Sequence, residues 1–150
     1  MNKLIKFLKQ LEDKIAEQHR VNEKVSASSV GWHIEHALLT IDAIVKALKN
    51  SNPAHYKSSF SLAAVYVFTT GKIPRGRAQS PNSVRPKKEI NALSLKEHIE
   101  YTAAIIKELS NLDPNCYFEH PVFGKVRLKS ALRFLTIHTR HHIYIINDIS

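Results

Sequence analysis

Cysteine is nearly absent from this 150-residue chain, with Cys116 its only example. That excludes an intramolecular disulfide and any thiolate cluster, such as a four-cysteine zinc site. A chain this long buries a sufficient core without such staples, and a single cysteine suits a reducing compartment. Long hydrophobic runs are also missing, and none approaches the ~20 residues of a membrane span. The opening MNKLIKFLKQLEDKIAEQ interleaves lysines with its apolar residues and has neither a continuous hydrophobic region nor a cleavage site. Strand signals are scarce, and there is no internal repeat or domain boundary. One soluble, cytoplasmic domain over residues 1–150 is expected, with no membrane partner.

Acidic residues are outnumbered, 13 against 22 Lys and Arg, leaving a net charge of +9. Lys72, Arg75, Arg77, Arg85, Lys87 and Lys88 concentrate part of that excess in one segment. Such a segment suits nucleic acid, an anionic surface or a small acidic substrate, or is simply a solvated loop. It contains no aromatic residue for base stacking, and no helix-turn-helix or zinc-finger spacing occurs, so no specific nucleic-acid partner is expected.

What the chain does have is helical periodicity. Leu4, Leu8, Leu11 and Ile15 form one stripe of a helix over about Lys3 to His19. A second runs from about Ser29 to Lys49, with Glu35, Asp42, Lys46 and Lys49 on its polar side. A third opens on a Ser94–Glu97 capping box, carries Leu95, Ile99, Thr102, Ile106 and Leu109 inward, and ends near Asn111 before Asp113-Pro114. The fourth spans about Leu128 to Asp148. Residues 63–68 read equally as a strand or a short buried helix. The expectation is an all-α four-helix bundle with a long connection, Ser51 to Asn91, between helices two and three.

Helix four carries the most informative feature. Ala131, Leu135, His138, His142, Ile145 and Ile149 follow the spacing of one buried face. Two imidazoles thus occupy positions where a bundle normally places Leu or Ile. Buried polar groups need partners, and a pair one turn apart can share a metal ion. Bundle metal sites draw further ligands from a facing helix. Helix two offers His33 and His36. His33 lies nearer the centre of its apolar face and His36 nearer the edge, so geometry leans slightly towards His33.

A helix-two histidine joined to His138-x-x-x-His142, with His120-Pro121-Val122-Phe123-Gly124 ahead, resembles the DinB/YfiT-like metalloenzyme superfamily. The likeness spans essentially the whole chain, is strongest to a subgroup without assigned function, and has nothing to do with the DNA polymerase of similar name. In that family a Ser/Thr cap precedes the ligand histidine by seven residues, and a small residue and an acid follow it by four and six. Ser29, His36, Thr40 and Asp42 fit this register. His33 fits with Ser26 as cap and Ala37 as the small residue, but Leu39 then falls at the acidic position. The resemblance therefore implies His36, His138 and His142 as metal ligands. The chain departs from the pattern in having Ile145 where the family often has Gln, and Trp32 a turn after the usual tryptophan position. The remaining histidines have plainer expected roles. His19 would stabilise the end of helix one, His55 and His98 would be solvated or packing residues, His141 would line the pocket or pair with a carboxylate, and His120 would be structural, near the mouth of the site.

Three neutral imidazoles suit a divalent transition metal, with Zn or Ni foremost and Fe or Cu also suited. Three protein ligands leave coordination positions open, as in catalytic zinc sites. Two chemistries follow: a hydrolase that acidifies a bound water, or a transferase that uses a low-molecular-weight thiol as its thiolate. The ligand helix has no built-in carboxylate base, and Glu35 points to the polar side, which favours the thiol. Arg75, Arg77, Arg85, Lys87 and Lys88 would then hold carboxylates of an anionic small molecule. The alternative is a non-catalytic metal-containing protein that binds a small ligand, or nucleic acid through the basic loop. A homodimer is compatible with either.

Overall fold

The computed structural model describes residues 1–76, 80–87 and 89–150; Arg77 and Lys88 of the basic segment lie outside the described residues. Among these, the chain forms α1 (Asn2–Glu12), α2 (Val30–Asn50), α3 (Leu62–Thr70), α4 (Ala92–Glu108), β1 (Tyr117–His120), β2 (Gly124–Arg127) and α5 (Leu128–Ile149). The protein is mostly helical, as its periodicity implies, with one small hairpin added.

Helix α2 packs against both α4 and α5, and α1 packs against the same two helices. Their stripes close a single core in which Leu4, Leu8, Ile34, Leu38, Ile41, Leu95, Ile106, Leu135 and Ile146 are almost wholly buried. Burial at this level removes the side chains' apolar area from water and is the main term holding the helices together.

The ends of the elements depart from the sequence expectations for identifiable reasons. Helix α1 stops at Glu12 instead of reaching His19, and a single 3-10 turn follows at Ile15–Glu17. The chain turns there because the Gln18 carbonyl accepts from Gly31 N (2.9 Å) and the Arg20 carbonyl from Val30 N (3.0 Å). A Cβ on Gly31 would stand 3.1 Å from the Gln18 carbonyl oxygen, so glycine permits this close approach. His19 is therefore exposed beyond the helix and does not stabilise its end.

The capping box of α4 also lies one turn earlier than expected. Asn91 Oδ1 accepts from Ser94 N (2.9 Å), and Asn91 N donates to Ser94 Oγ (3.2 Å). Ser94 is the third helical residue, not the cap. Asn caps as well as Ser does, and the earlier start places the partly buried Ile90 just before the cap and the buried Leu95 just after the box.

The ambiguous segment 63–68 is helical in α3, but only Val67 of that helix is buried. Its cap, Ser61 Oγ, accepts from Ala64 N (3.2 Å), and Gly71 ends it in the left-handed region at φ 65°. Arg133 of α5 donates to the Phe68 carbonyl, and Arg140 donates to the Gly71 carbonyl (2.6 Å). Two cations thus meet the negative end of α3 and fasten it to α5.

The hairpin pairs Tyr117 with Arg127 and His120 with Gly124. It packs on α2 and α5. Its turn is the His-Pro-Val-Phe-Gly segment: His120 Nδ1 accepts from Val122 N (3.1 Å) and Phe123 N (3.2 Å), and Gly124 takes φ 72°.

Candidate metal centre

His36 from α2 and His138 and His142 from α5 each offer one ring nitrogen, and these three atoms lie within 4.8 Å of one another. The ring centroids are 4.6 Å apart for His138–His142, 4.7 Å for His36–His142 and 5.3 Å for His36–His138. Packing of α2 on α5 brings them together, and the four-residue spacing on α5 turns both of its rings the same way.

Each ring is held differently. His36 Nδ1 donates to the Val84 carbonyl (2.8 Å), which leaves Nε2 unprotonated, with Ser80 Oγ 3.4 Å away. Trp32 stacks on the His36 ring at 5.0 Å and 15°. The tryptophan displaced by a turn in the sequence is thus a wall of the site. His142 Nδ1 lies 3.0 Å from His33 Nδ1, and His33 Nε2 lies 2.9 Å from Ser26 Oγ. Both α2 histidines are inward, His33 at 4% and His36 at 3% exposure, but His33 stands behind His142 and outside the three-nitrogen group. His138 Nδ1 is buried without a hydrogen-bond partner among the described residues.

Burial keeps these rings neutral. It is the foremost cause that holds His36 below its ordinary pKa and His138 and His142 well below it, and in the latter two neighbouring imidazoles add to the effect. Burial also pushes His33 and His141 down to about 4. Three converging neutral imidazoles, one with a buried nitrogen that no group among the described residues satisfies, fit a divalent transition ion, and three donors leave positions open on it.

The basic segment reaches this region. Arg75 pairs with Asp148 of α5 (2.7 Å). Arg85 Nε donates to the carbonyl of Ser80, the residue beside His36 (2.8 Å). The charge of Arg75 disfavours protonation of His33 and His141, and that of Arg85 disfavours protonation of His36. Lys72 and Lys87 are exposed.

The DinB superfamily model matches residues 2–146. The chain belongs to the DinB superfamily. No curated protein and no solved structure matches it. Within this DinB chain, Ser29 caps α2 through Trp32 N (3.2 Å), which sets the cap seven residues before His36.

The other histidines of this DinB protein divide clearly. His120 holds its turn and stacks on Phe123 (3.9 Å, 13°), and Phe134 contacts both it and His138, with centroids at 5.1 and 5.7 Å. Its burial pushes its pKa down to about 4. His55 is exposed. His98 is neither solvated nor a simple packing residue. Its Nδ1 meets Glu35 (2.9 Å) and its Nε2 meets Asp42 (2.7 Å), while Thr102 Oγ1 donates to Asp42 (2.9 Å). Burial pulls the His98 pKa down, but hydrogen bonds to Asp42 and Glu35 and their charges outweigh it and raise it to about 9. The signal was present in the sequence as two acids seven apart on α2 and His98 and Thr102 four apart on α4. A surface groove at the hairpin, lined by Lys57, Ser59, Glu119, His120 and Lys125, includes none of the three converging histidines.

Proposed function

We propose that this protein is a metal-dependent enzyme whose His36, His138 and His142 bind one divalent transition ion, Zn or Ni foremost and Fe as a further candidate, within a single four-helix-bundle domain of α1, α2, α4 and α5. The observation that carries the reading is the convergence of three neutral imidazoles from two helices, His36 and His142 buried and His138 half-buried, the last with a buried nitrogen that is unsatisfied among the described residues. The reaction is transfer to or from a small molecule with a low-molecular-weight thiol as co-substrate, in the cytoplasm.

When bound, the ion would supply Lewis acidity, lowering the pKa of a small thiol or of water at its open positions. The chain's own residues favour the thiol. Hydrolysis benefits from a positioned carboxylate base, and the two acids of α2, Glu35 and Asp42, are both committed to His98 on another face. The Val84 carbonyl and Trp32 hold the His36 ring in place. Arg85, fixed beside Ser80 by its Nε, has no partner for its terminal nitrogens among the described residues and offers them to an anionic group, and Arg75 adds positive charge from the α5 side.

Cobalt substitution tests this reading. Adding glutathione, cysteine or other small thiols to the cobalt form should change its visible absorption, because an open position on a three-imidazole ion accepts a soft thiolate. No spectral change with any thiol, with turnover of esters or amides instead, would replace the transferase by a hydrolase. Cobalt binding without a thiol response or turnover would favour a non-catalytic ligand-binding protein.

A further inference from the structure

The second histidine of α2 is not a spare ligand. We propose that the half-buried Ser26 and the buried His33 form a relay that fixes the tautomer and ring orientation of His142, and so determines which nitrogen His142 presents to the metal. The inference rests on His142 being a ligand, as proposed above.

The relay is continuous: Ser26 Oγ to His33 Nε2 is 2.9 Å, and His33 Nδ1 to His142 Nδ1 is 3.0 Å. His33 and His142 are 4% and 6% exposed, so water does not readily replace either partner. Ser26 is itself fixed, since its N donates to the Asn22 carbonyl (2.9 Å) and its Oγ accepts from Ser28 N (3.1 Å). Two neutral imidazoles facing nitrogen to nitrogen share one proton, and this permits only two arrangements. If His33 donates, the His142 proton sits on Nε2, and His142 has no lone pair left for an ion. If His142 donates from Nδ1, its Nε2 is free to coordinate. His33 then accepts at Nδ1, carries its own proton on Nε2 and donates it to Ser26. Only the second arrangement makes His142 a ligand.

At His36 the direction is set by the partner alone, because the Val84 carbonyl can only accept and keeps the proton on Nδ1. The Ser26 hydroxyl can donate as well as accept, so the direction of the relay follows from His142 being a ligand. Metal-bound histidines commonly donate their other ring N–H to such a partner, and losing that partner weakens metal binding by roughly 10–100-fold. A neighbouring imidazole is an unusual choice, because it accepts at Nδ1 only as its Nε2–H tautomer, which a third group favours by accepting that proton. Ser26 Oγ, 2.9 Å from His33 Nε2, is placed to do so. This accounts for both histidines on α2: His36 faces the ion, and His33 orients the ligand across from it.

Two measurements test the relay. Long-range nitrogen–proton NMR of the metal-free, labelled protein reads the tautomer of each ring directly. It should show the proton on Nδ1 of His142 and on Nε2 of His33. Zinc affinity, measured by competition with a chromophoric chelator, should fall about 10–100-fold in His33→Leu. His33→Asn, which sets an amide oxygen near the position of Nδ1, should recover most of it. Ser26→Ala should weaken binding in the same direction by less. A His142 proton on Nε2 in the metal-free protein overturns the relay, as does zinc binding by His33→Leu as tight as that of the wild type. If wild-type protein binds no zinc, nickel or iron, the metal reading itself has failed, and the NMR tautomers still decide the relay. If His33→Leu does not fold, Ser26→Ala and the tautomers decide it alone.

Discussion

At the residue scale, the site substitutes three imidazoles for aliphatic side chains in an otherwise ordinary apolar seam. His138→Ala or His142→Ala should therefore abolish metal binding yet leave a folded protein, as read by metal titration alongside circular dichroism. Leu at either position should raise the melting temperature, since that seam favours aliphatic packing over buried imidazole. Unfolding of every such variant would make the metal structural. A second residue-scale prediction concerns His98. Its pKa is raised to about 9 in the folded protein, against about 6.5 when unfolded. A raised folded value means the Glu35–His98–Asp42 contribution is complete below about pH 6.5 and is lost as pH rises through 9. Denaturant melts should show the wild type losing about 2 kcal/mol across that window after discount for partial exposure, with His98→Gln much flatter. Equal slopes would remove the ion pair from the account.

Legibility at this scale was uneven. The His138–His142 pair was readable because helical spacing alone sets both rings on one face. His33 and His36 were not separable that way, because both are in fact buried and what divides them is a tertiary contact, His33 with His142. The ion pairs of His98 are hard to read from sequence because its acidic partners lie on another helix, and the spacings on α2 and α4 gain meaning only once the two helices are packed together.

At the element scale, periodicity fixed which faces are buried more reliably than where helices begin and end. Leu95, Ile99, Thr102 and Ile106 of the expected stripe are buried in α4, joined by Ile105, and Leu109 is buried in the 3-10 turn that follows, yet the helix starts a turn earlier because Asn91 competes successfully as cap. Asn91→Ala should accordingly cost about 1 kcal/mol in thermal or denaturant melts, and Glu97→Ala almost nothing. The reverse order would restore the Ser94–Glu97 box. The hairpin escaped notice because each strand is four residues long, too short for alternation to register against background. It is held by its turn. Gly124 sits at φ 72° with the Ser59 side chain where a Cβ would go, so Gly124→Ala should destabilise by about 1–2 kcal/mol. A neutral melt would show that the turn tolerates rearrangement.

At the scale of the whole molecule, charge and site must be reconciled. Arg75 pairs with Asp148, while Arg85, Arg133 and Arg140 each donate to a backbone carbonyl and keep their charge near the surface. The basic segment has no aromatic residue for base stacking, so DNA and RNA should bind weakly and release near physiological salt. Retention at high salt in a filter-binding or anisotropy series would point instead to a nucleic-acid binder. The central claim is the metal centre, and the most direct measurement is elemental analysis joined to X-ray absorption on untagged protein purified without chelators. The account predicts about one divalent transition ion per chain, with about three imidazole nitrogens at roughly 2.0–2.2 Å, lost in His142→Ala. Protein that neither retains nor takes up such an ion, or an ion whose scattering shows no imidazole, would contradict it.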